Sequence, residues 1–544
     1  MSSEINLPDG TTFVAGTISE FDELLRQCVH QSAQGLIAKK QHSSYFKDYF
    51  SRIKAQTIVL EKPYVDRDFL EDFAAYYVRC FENYDRKCAR MHFFTASFTT
   101  TELQAVLKGN ASDFAERLKT SYLGFVVIKP LPLTYFGRTC LTTKGSADTS
   151  FFPAGHRFKV SLFGIDLEVD QTLPFQEQDS VVAACATSAL WSAFHGTGRI
   201  FQHAIPSPVE ITKAATLQLP AESRSLPNHG LHPHMMAQAI RSVGLEPHYV
   251  GTHRFEVLLG NAYAYLRQGI PPVLGFRLHD KRKKLDDADG HRGKHAVAVT
   301  GFNLGLPAAR PIGTSGFLLR ATRIDKLFVH DDGIGPYARM EMLNYSVGRD
   351  IEDAKGKTAT IQIPAVGTSW LADDGSSGNV VALPEILMIP LYHKIRIPYE
   401  VAQKVVVEFD QICVSLGKQT ADVGLNERFE WDIYLTTVNQ IKTELLTGKK
   451  IVGDRLEKLL TQQMPKFIWR ASATNSTGPM FDLLFDATDI EHGLFVVRII
   501  GYNDVLLAFL AEIAKGTDAE LEKSFPRFAR GRKILKAFMT QAAA

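Results

Sequence analysis

The strongest constraint on the fold of this chain is a helical segment that is apolar on most of its faces. It reads CATSALWSAF and runs from residue 185 to residue 194. A helix on the surface of a globular protein presents a polar face to water, whereas a helix that is hydrophobic all round is buried. We therefore expect a central helix, covered by other elements, with a cysteine at its first turn.

The length of the chain, 544 residues, exceeds what one hydrophobic core usually holds. Domains of about 100–200 residues are typical, so we expect three. We place a mostly helical α+β accessory domain at residues 1–150, a central domain at 151–395 and a C-terminal α+β accessory domain at 396–544. In the central domain helices are followed by several strands, which favours an α+β fold.

Charge and composition argue against several classes of protein. The 61 basic and 59 acidic residues give a net charge of +2, which indicates neither a nucleic-acid partner nor a membrane partner. We find no signal peptide, and no stretch approaches the roughly 18 apolar residues of a membrane helix. The six cysteines include no CxxC pair, so we predict neither a disulfide framework nor a thiolate zinc site. We expect a cytoplasmic protein without a cofactor.

Hydrophobic periodicity predicts the main secondary-structure elements. Helical spacing covers residues 67–94 in the N-terminal third. The predicted elements of the central third are helices at 232–244 and 255–269, followed by strands at 271–278, 295–302 and 326–332. Residues 350–395 are expected to hold loops and short strands, and residues 521–541 to form a basic, exposed tail helix.

Four residues in separate segments have the side chains that nucleophilic catalysis by a thiol requires. Cys185 lies at a helix start, where a thiolate is electrostatically favoured. His295 begins the apolar strand HAVAVTGF and is a candidate base, and Asp331 ends the next strand, where a carboxylate can orient an imidazole. Gln178 precedes the helix and can donate an amide N–H to an oxyanion, beside the backbone N–H of Cys185.

Gln178, CATSALW, GLHPHMMAQAIRSVGL, GIPPVLGF, GKHAVAVTGF and FVHDD follow one another in that order along the chain. The set resembles papain-like cysteine peptidases, and in particular the bacterial branch typified by double-glycine leader (bacteriocin-processing) peptidases. The resemblance covers about residues 175–345. It implies a papain-like fold, in which the cysteine helix packs on an antiparallel sheet. It also implies Cys185 as nucleophile, His295 as base, Asp331 as orienting group and Gln178 as oxyanion donor.

The spacing departs from the pattern of that branch in two places. The glutamine usually lies six residues before the cysteine, whereas Gln178 lies seven before it, so Gln176 stays open as the donor. The interval from His295 to Asp331 is also longer than is usual in that branch. Asp331 and its neighbour Asp332 should point to opposite faces of a strand, and either could orient the imidazole.

Other histidines are weaker candidates for a functional role. His229, His232 and His234 lie close together, but Pro233 restrains the backbone and no carboxylate or thiol is near in sequence. We therefore predict a loop and a helix cap there and no metal. His291 lies in a charged loop, whereas His295 joins the apolar strand directly, which gives the rigid placement that a base needs.

The resemblance predicts a peptidase that cleaves a protein or peptide through a thioester. More than half of the chain lies outside the matching segment, which favours a particular protein or peptide substrate and is compatible with an activating protein partner. Two other functions stay open on the same residues. One is acyl transfer to an amine, as in transglutaminase-like and arylamine-acetyltransferase-like enzymes, and the other is an inactive papain-like scaffold used for binding.

Overall fold

A computed structural model of the protein shows a mixed α+β chain, as the sequence predicts. The described residues are 5–6, 12–37, 40–110, 112–143, 149–179, 181–218, 226–227, 230–283, 285, 288–352, 358–368, 379–418, 424–489 and 496–541. Helices and strands are both frequent along this part of the chain, and they build separate sheets with helices packed on them.

The chain forms two compact units that do not follow chain order. The first comprises Met1–His253, Gly269–Asn303 and Lys326–Pro390, and the second comprises Arg254–Gln268, Leu304–Asp325 and Leu391–Ala544. The first unit thus holds the predicted N-terminal region together with most of the predicted central region. Residues 254–268 and 304–325 of the predicted central region belong to the second unit.

The N-terminal part of the first unit is built on an antiparallel sheet. Its elements are β1 Ile5–Asn6, β2 Thr12–Thr17, α1 Phe21–Arg26, α2 Gln41–Arg52, β3 Thr57–Tyr64, α3 Arg67–Ala75, β4 Cys88–Phe94, α4 Thr100–Leu107, α5 Ser112–Ser121, β5 Tyr122–Ile128 and β6 Phe136–Leu141. These strands are arranged in the order β1-β2-β3-β4-β5-β6. Helix α2 packs on the sheet through stacked rings, with Phe50 at 4.1 Å from Phe93 between ring centroids.

The helical prediction for residues 67–94 is wrong in its last part. Helix α3 ends at Ala75, and residues Cys88–Phe94 form strand β4 between β3 and β5. All seven residues of β4 are buried, including His92. A strand that is covered on both faces has no apolar–polar alternation, so periodicity does not separate it from a buried helix.

The central part of the chain contains the second sheet of the first unit, together with the elements at residues 254–268 and 304–325 that belong to the second unit. Its elements are β7 Ser150–Phe151, β8 His156–Leu162, β9 Ile165–Thr172, α6 Cys185–Phe201, α7 Pro208–Ala215, α8 Pro233–Ser242, β10 Leu245–Gly251, α9 Phe255–Leu266, β11 Val273–Asp280, β12 His291–Asn303, β13 Pro311–Ile312, β14 Phe317–Leu319, β15 Lys326–Asp331, β16 Gly335–Glu352, β17 Thr358–Thr368 and β18 Val380–Tyr392. The sheet has the order β10-β18-β11-β12-β15-β16-β17, with β7 paired to β12. Val366 of β17 also pairs with Ala382 of β18, so the sheet curls back on itself.

The three predicted strands and two predicted helices of this region are confirmed as β11, β12, β15, α8 and α9. The expectation of loops and short strands for residues 350–395 is wrong, because β17 and β18 are long strands of this sheet. Most of β18 is buried, and it lies between β10 and β11. Pro384 and Pro390 both lie within this strand.

The second unit is built around a sheet with the order β13-β14-β19-β20-β21-β22. Its remaining elements are α10 Tyr399–Gly417, β19 Glu430–Thr437, α11 Val438–Gly448, α12 Asp454–Thr461, β20 Phe467–Asn475, β21 Gly478–Asp486, β22 Val496–Gly501, α13 Asp504–Ala514, α14 Asp518–Ser524 and α15 Ala529–Gln541. The predicted exposed tail helix is wrong in two respects. It is divided into α14 and α15, and α15 buries Ile534, Leu535 and Phe538, with the Phe538 ring 5.6 Å from that of Phe409.

No helix in the described part of the chain has both the length and the apolar character needed to cross a bilayer.

Candidate active site

Helix α6 begins at Cys185, as the sequence predicts. Every residue from Ala186 to Gly198 is buried, so the helix is central. It packs against the sheet in a cluster that contains Trp191 together with Ala296 and Ala298 of β12. Cys185 itself is only partly buried, which leaves its sulfur at the accessible end of a rigid helix.

The helix start also presents backbone donors. The N-cap residue Ala184 is extended and makes no side-chain cap. The first N–H groups of a helix have no acceptor within it, and the helix dipole gives this end a partial positive charge. The backbone N–H of Cys185 is therefore placed to bind a developing negative charge.

The loop that leads to the cysteine is held by Asp179, which is buried. Its carboxylate accepts from the backbone N–H groups of Val181 at 2.8 Å and Val182 at 3.0 Å, and Tyr77 donates to its other oxygen. The backbone N–H of Asp179 donates to Ala183 O at 2.8 Å. These bonds fix the direction in which the chain enters the helix.

His295 lies on β12 and faces the helix start. His295 pairs in register with Phe276 of β11, and the rings of the two residues meet edge to face with their centroids 5.5 Å apart. Its Nε2 lies 3.0 Å from Asp331 Oδ1, and a hydrogen bond joins the same ring to the Cys185 side chain. Because Nε2 faces the carboxylate, Nδ1 is the ring nitrogen left for the sulfur.

Asp332 also reaches the imidazole, at 3.5 Å from Oδ1 to His295 Nε2. The sequence predicts Asp331 and Asp332 on opposite faces, which would leave one of them outside the site. In the structure β15 ends at Asp331, and Ile334 N donates to Asp331 O at 3.0 Å in the turn that follows. Alternation stops where the strand stops, so both carboxylates face the ring.

The carboxylates favour the charged form of His295. Burial alone would lower the pKa of this imidazole, but the negative charges of Asp331 and Asp332 and the hydrogen bonds to Asp331 and Cys185 outweigh it. The pKa of His295 therefore lies well above its ordinary value of 6.5. The side chain keeps 16% of its surface exposed, so the ring remains open to a reacting group.

The second carboxylate has the opposite tendency. Burial, together with the charge of Asp331, raises the pKa of Asp332 to about 7, although the imidazolium of His295 lowers it. Its Oδ2 is buried and has no hydrogen-bond partner among the described residues. The pair thus contains one carboxylate bonded to the ring and a second whose ionised form is costly.

Compared with wild type, we expect Asp332→Asn to have a higher free energy of unfolding at about pH 8 and an almost unchanged one at about pH 4. Between its ordinary pKa of 3.8 and its raised value of about 7, Asp332 holds its proton more tightly in the folded chain than in the unfolded one. The wild-type protein therefore loses stability as the pH rises through this window, and the uncharged amide removes that loss. Urea unfolding at both pH values measures the effect.

The matched control is Asp331→Asn, which weakens the 3.0 Å bond to the imidazolium and should destabilise the protein at both pH values. Equal destabilisation by Asp332→Asn at the two pH values would contradict the assignment of the raised pKa.

The two candidate glutamines differ in their surroundings. Gln178 is exposed. Gln176 is only 6% exposed, and its Nε2 has no hydrogen-bond partner within the described ranges. A buried amide donor without an acceptor costs stability unless it binds something else. This contrast favours Gln176 over Gln178 as an oxyanion donor.

The other histidines are placed away from this arrangement or outside the described residues. His291 is exposed on β12, and its Nδ1 accepts from Gly293 N at 3.1 Å. His232 and His234 are exposed, with ring centroids 5.8 Å apart, at the start of α8. His229 lies outside the described residues.

His295, Asp331 and Asp332 together have the kinds of side chain that could hold a metal ion. One nitrogen of His295 and one oxygen each of Asp331 and Asp332 lie within 4.8 Å of one another. The 3.0 Å separation of Nε2 from Asp331 Oδ1 is also that of a direct N–H···O bond. Two of the three residues, His295 and Asp331, thus already form a hydrogen-bonded dyad.

Sequence reasoning missed three residues around the candidate site. They are His42, which bonds the backbone of Asp332, and Lys40 and Glu177, which pair with each other beside Gln176. Asp332 was one of the two aspartates that the sequence left open, and it also reaches the ring. The contacts of His42 and Lys40 join segments more than a hundred residues apart, and no local pattern marks them.

No family model matches this chain, and the search of curated proteins found no match either.

Proposed function

We propose that this protein is a cysteine peptidase of papain-like type, with Cys185 as nucleophile, His295 as acid and base, and Asp331 as the group that orients the imidazole. One observation carries the proposal. The side chain of Cys185, a partly buried residue at the first turn of a buried helix, is hydrogen-bonded to an imidazole whose Nε2 lies 3.0 Å from a buried carboxylate. This is the geometry of nucleophile, base and orienting group that acyl transfer requires.

The reaction would proceed in two halves. The Cys185 thiolate attacks the carbonyl carbon of an amide, and the C–N bond breaks as the imidazolium of His295 protonates the leaving amine. His295, now neutral, takes a proton from water, whose oxygen attacks the thioester carbon. The C–S bond breaks, the acid product leaves, and the thiolate–imidazolium pair is restored. The raised pKa of His295 supports its charged form at the start of the cycle.

The oxyanion formed in each half needs two donors. We assign the backbone N–H of Cys185, at the positive end of α6, and the Nε2 of Gln176. This choice replaces Gln178, whose side chain is exposed. Fixed donors in a partly buried site stabilise a developing charge more than water does, because they need no reorganisation.

We expect Gln176→Ala to lower kcat by about 100-fold with little change in KM, because an oxyanion donor acts in the transition state. Gln178→Ala should leave kcat within about twofold of wild type. Steady-state kinetics on a cleaved peptide measures both variants, and circular dichroism checks that each one folds. The reverse ranking of the two variants would return the role to Gln178.

The reactivity of the thiols tests the proposal without a known substrate. Cys185 should react with iodoacetamide at about pH 6 roughly tenfold faster than Cys80, because its sulfur lies at a helix start and is bonded to the His295 ring, an environment in which cysteines are reactive. Cys80 is the matched control, since it is also partly buried, whereas Cys28, Cys88, Cys140 and Cys413 are buried. Equal rates at Cys185 and Cys80 would refute the proposal.

We further propose that the substrate is a protein or a particular peptide. The protein should be incubated with a peptide mixture prepared from a digested proteome, and new termini identified by mass spectrometry. A new carboxyl terminus indicates hydrolysis, whereas a product joined to an added primary amine indicates acyl transfer.

Loss of activity after chelation with EDTA, together with slow alkylation of Cys185, would favour a metal at His295, Asp331 and Asp332 instead.

A further inference from the structure

The first turn of α2 lies against the turn that carries the two carboxylates. His42 Nε2 donates to the backbone oxygen of Asp332 at 2.8 Å. Tyr45 Oη donates to the backbone oxygen of Pro336 at 2.6 Å. The ring of Tyr45 also covers Gly335, whose φ is +154°, and a Cβ added at Gly335 would collide with it.

The same segment lies against the loop that carries the two glutamines. Lys40 Nζ forms an ion pair with Glu177, the residue next to Gln176. The other carboxylate oxygen of Glu177 accepts from Phe136 N at 3.0 Å, and Glu177 N donates to Phe136 O at 3.0 Å. Lys40 Nζ also lies 4.1 Å from the ring centroid of Tyr135.

The ring of His42 joins the two sets of contacts. It stacks on Phe136 at 5.7 Å between centroids while its Nε2 binds the carbonyl of Asp332. It is 5% exposed, and burial lowers its pKa, so its neutral form is favoured. Because a neutral imidazole carries one N–H, the bond to Asp332 fixes that proton on Nε2.

We propose that residues 40–45 are a positioning element that holds the carboxylate turn and the oxyanion-donor segment in place around Cys185. The inference rests on the proposed function. It makes the N-terminal part of the chain a component of the catalytic centre, although that part contributes no reacting atom. The mechanism is geometric: a carboxylate at 3.0 Å from Nε2 orients the ring, and a shift of the turn that carries it weakens that contact.

The test compares two substitutions of His42 by the pH dependence of Cys185 alkylation with iodoacetamide. His42→Phe keeps the stacked ring and removes the N–H donor, whereas His42→Gln can place an amide N–H near the position of Nε2. We expect His42→Phe to lower the alkylation rate at about pH 6 by about fivefold and to shift the rate–pH profile upward. His42→Gln should restore the rate to within about twofold of wild type.

Two further variants separate positioning from general stability. His92 is a buried histidine of the N-terminal sheet whose ring bonds Tyr122 Oη at 2.9 Å and Glu61 Oε2 at 3.4 Å, and neither partner lies on the turn. His92→Phe should lower Tm but leave the rate–pH profile of Cys185 alkylation unchanged. Tyr45→Phe keeps the ring over Gly335 and removes the bond of the hydroxyl to Pro336, together with its interaction with Arg52. It keeps the test open if His42→Phe does not fold, and we expect about a threefold lower rate.

The outcomes distinguish the two proposals. If wild-type Cys185 reacts no faster than Cys80, the proposed function fails, and this inference fails with it. If Cys185 is fast in wild type and remains equally fast in His42→Phe and Tyr45→Phe, only the positioning role is overturned. Equal slowing by His42→Phe and His92→Phe, without rescue by His42→Gln, would also overturn it, since it would show a loss of stability alone.

Discussion

Replacing Cys185 with alanine should lower kcat for peptide cleavage by about four orders of magnitude or more. In the proposed mechanism the sulfur forms the covalent bond to the acyl group, and the described part of the chain offers no other thiol at a helix start next to a histidine. Removal of a nucleophile in such triads leaves only the rate enhancement from binding and oxyanion stabilisation. The measurement is the rate of appearance of a mapped cleavage product.

Cys80→Ala is the control for this experiment. Cys80 is also partly buried, but it packs against the apolar cluster of the N-terminal sheet and its sulfur bonds a backbone oxygen, that of Tyr76 at 3.8 Å, so its removal should leave cleavage unchanged. Wild-type cleavage by Cys185→Ala would remove the basis of the proposed mechanism. Loss of cleavage in Cys80→Ala would indicate that the assay responds to stability.

Replacing His295 with alanine should lower kcat by about three orders of magnitude. It should also remove the fast reaction of Cys185 with iodoacetamide at about pH 6. In the proposed mechanism the imidazole supplies the positive charge beside the sulfur and takes part in both proton transfers, so one substitution should affect reactivity and turnover together. Competition between iodoacetamide alkylation of Cys185 and of Cys80 reports the first effect, and product formation reports the second.

His291→Ala is the matched control, because His291 lies on the same strand four residues earlier and is exposed. It should retain wild-type cleavage and the wild-type alkylation profile. If His291→Ala lost both and His295→Ala kept them, the base would have to be reassigned.

The two carboxylates explain why the orienting role was ambiguous in the sequence. Strand alternation separates Asp331 from Asp332, but the strand ends at Asp331, and the following turn brings both within 3.5 Å of His295 Nε2. Periodicity describes the interior of an element and not the turn that closes it. The pH-dependent stability of Asp332→Asn is a consequence of this turn, and the sequence did not suggest it.

The oxyanion donor shows a similar limit. Sequence spacing left Gln176 and Gln178 open, since both precede the helix at a reasonable distance. Their environments differ: one side chain is exposed, and the other is buried with a free amide N–H in the described structure. Burial of a side chain in a loop depends on which distant segment covers it, and here Glu177 between them is paired with Lys40.

What the sequence determined was local. The start of α6 at Cys185, the burial of that helix, and strands β11, β12 and β15 follow from apolar periodicity and composition, which depend on near neighbours. The order of the candidate residues on those elements was therefore readable. Where both faces of an element are buried, as in β4 and β18, the same pattern did not identify it.

Only the tertiary structure decided which segments surround the dyad. His42 meets Asp332 across 290 positions of sequence, and Lys40 meets Glu177 across 137. Contacts of this kind arise because the chain buries its apolar surface cooperatively, so the neighbours of a residue depend on the whole packing arrangement and not on the residues beside it. The sequence supplied the chemical groups and the elements that carry them, and only the packing of the whole chain placed α2 against the turn that carries the two carboxylates.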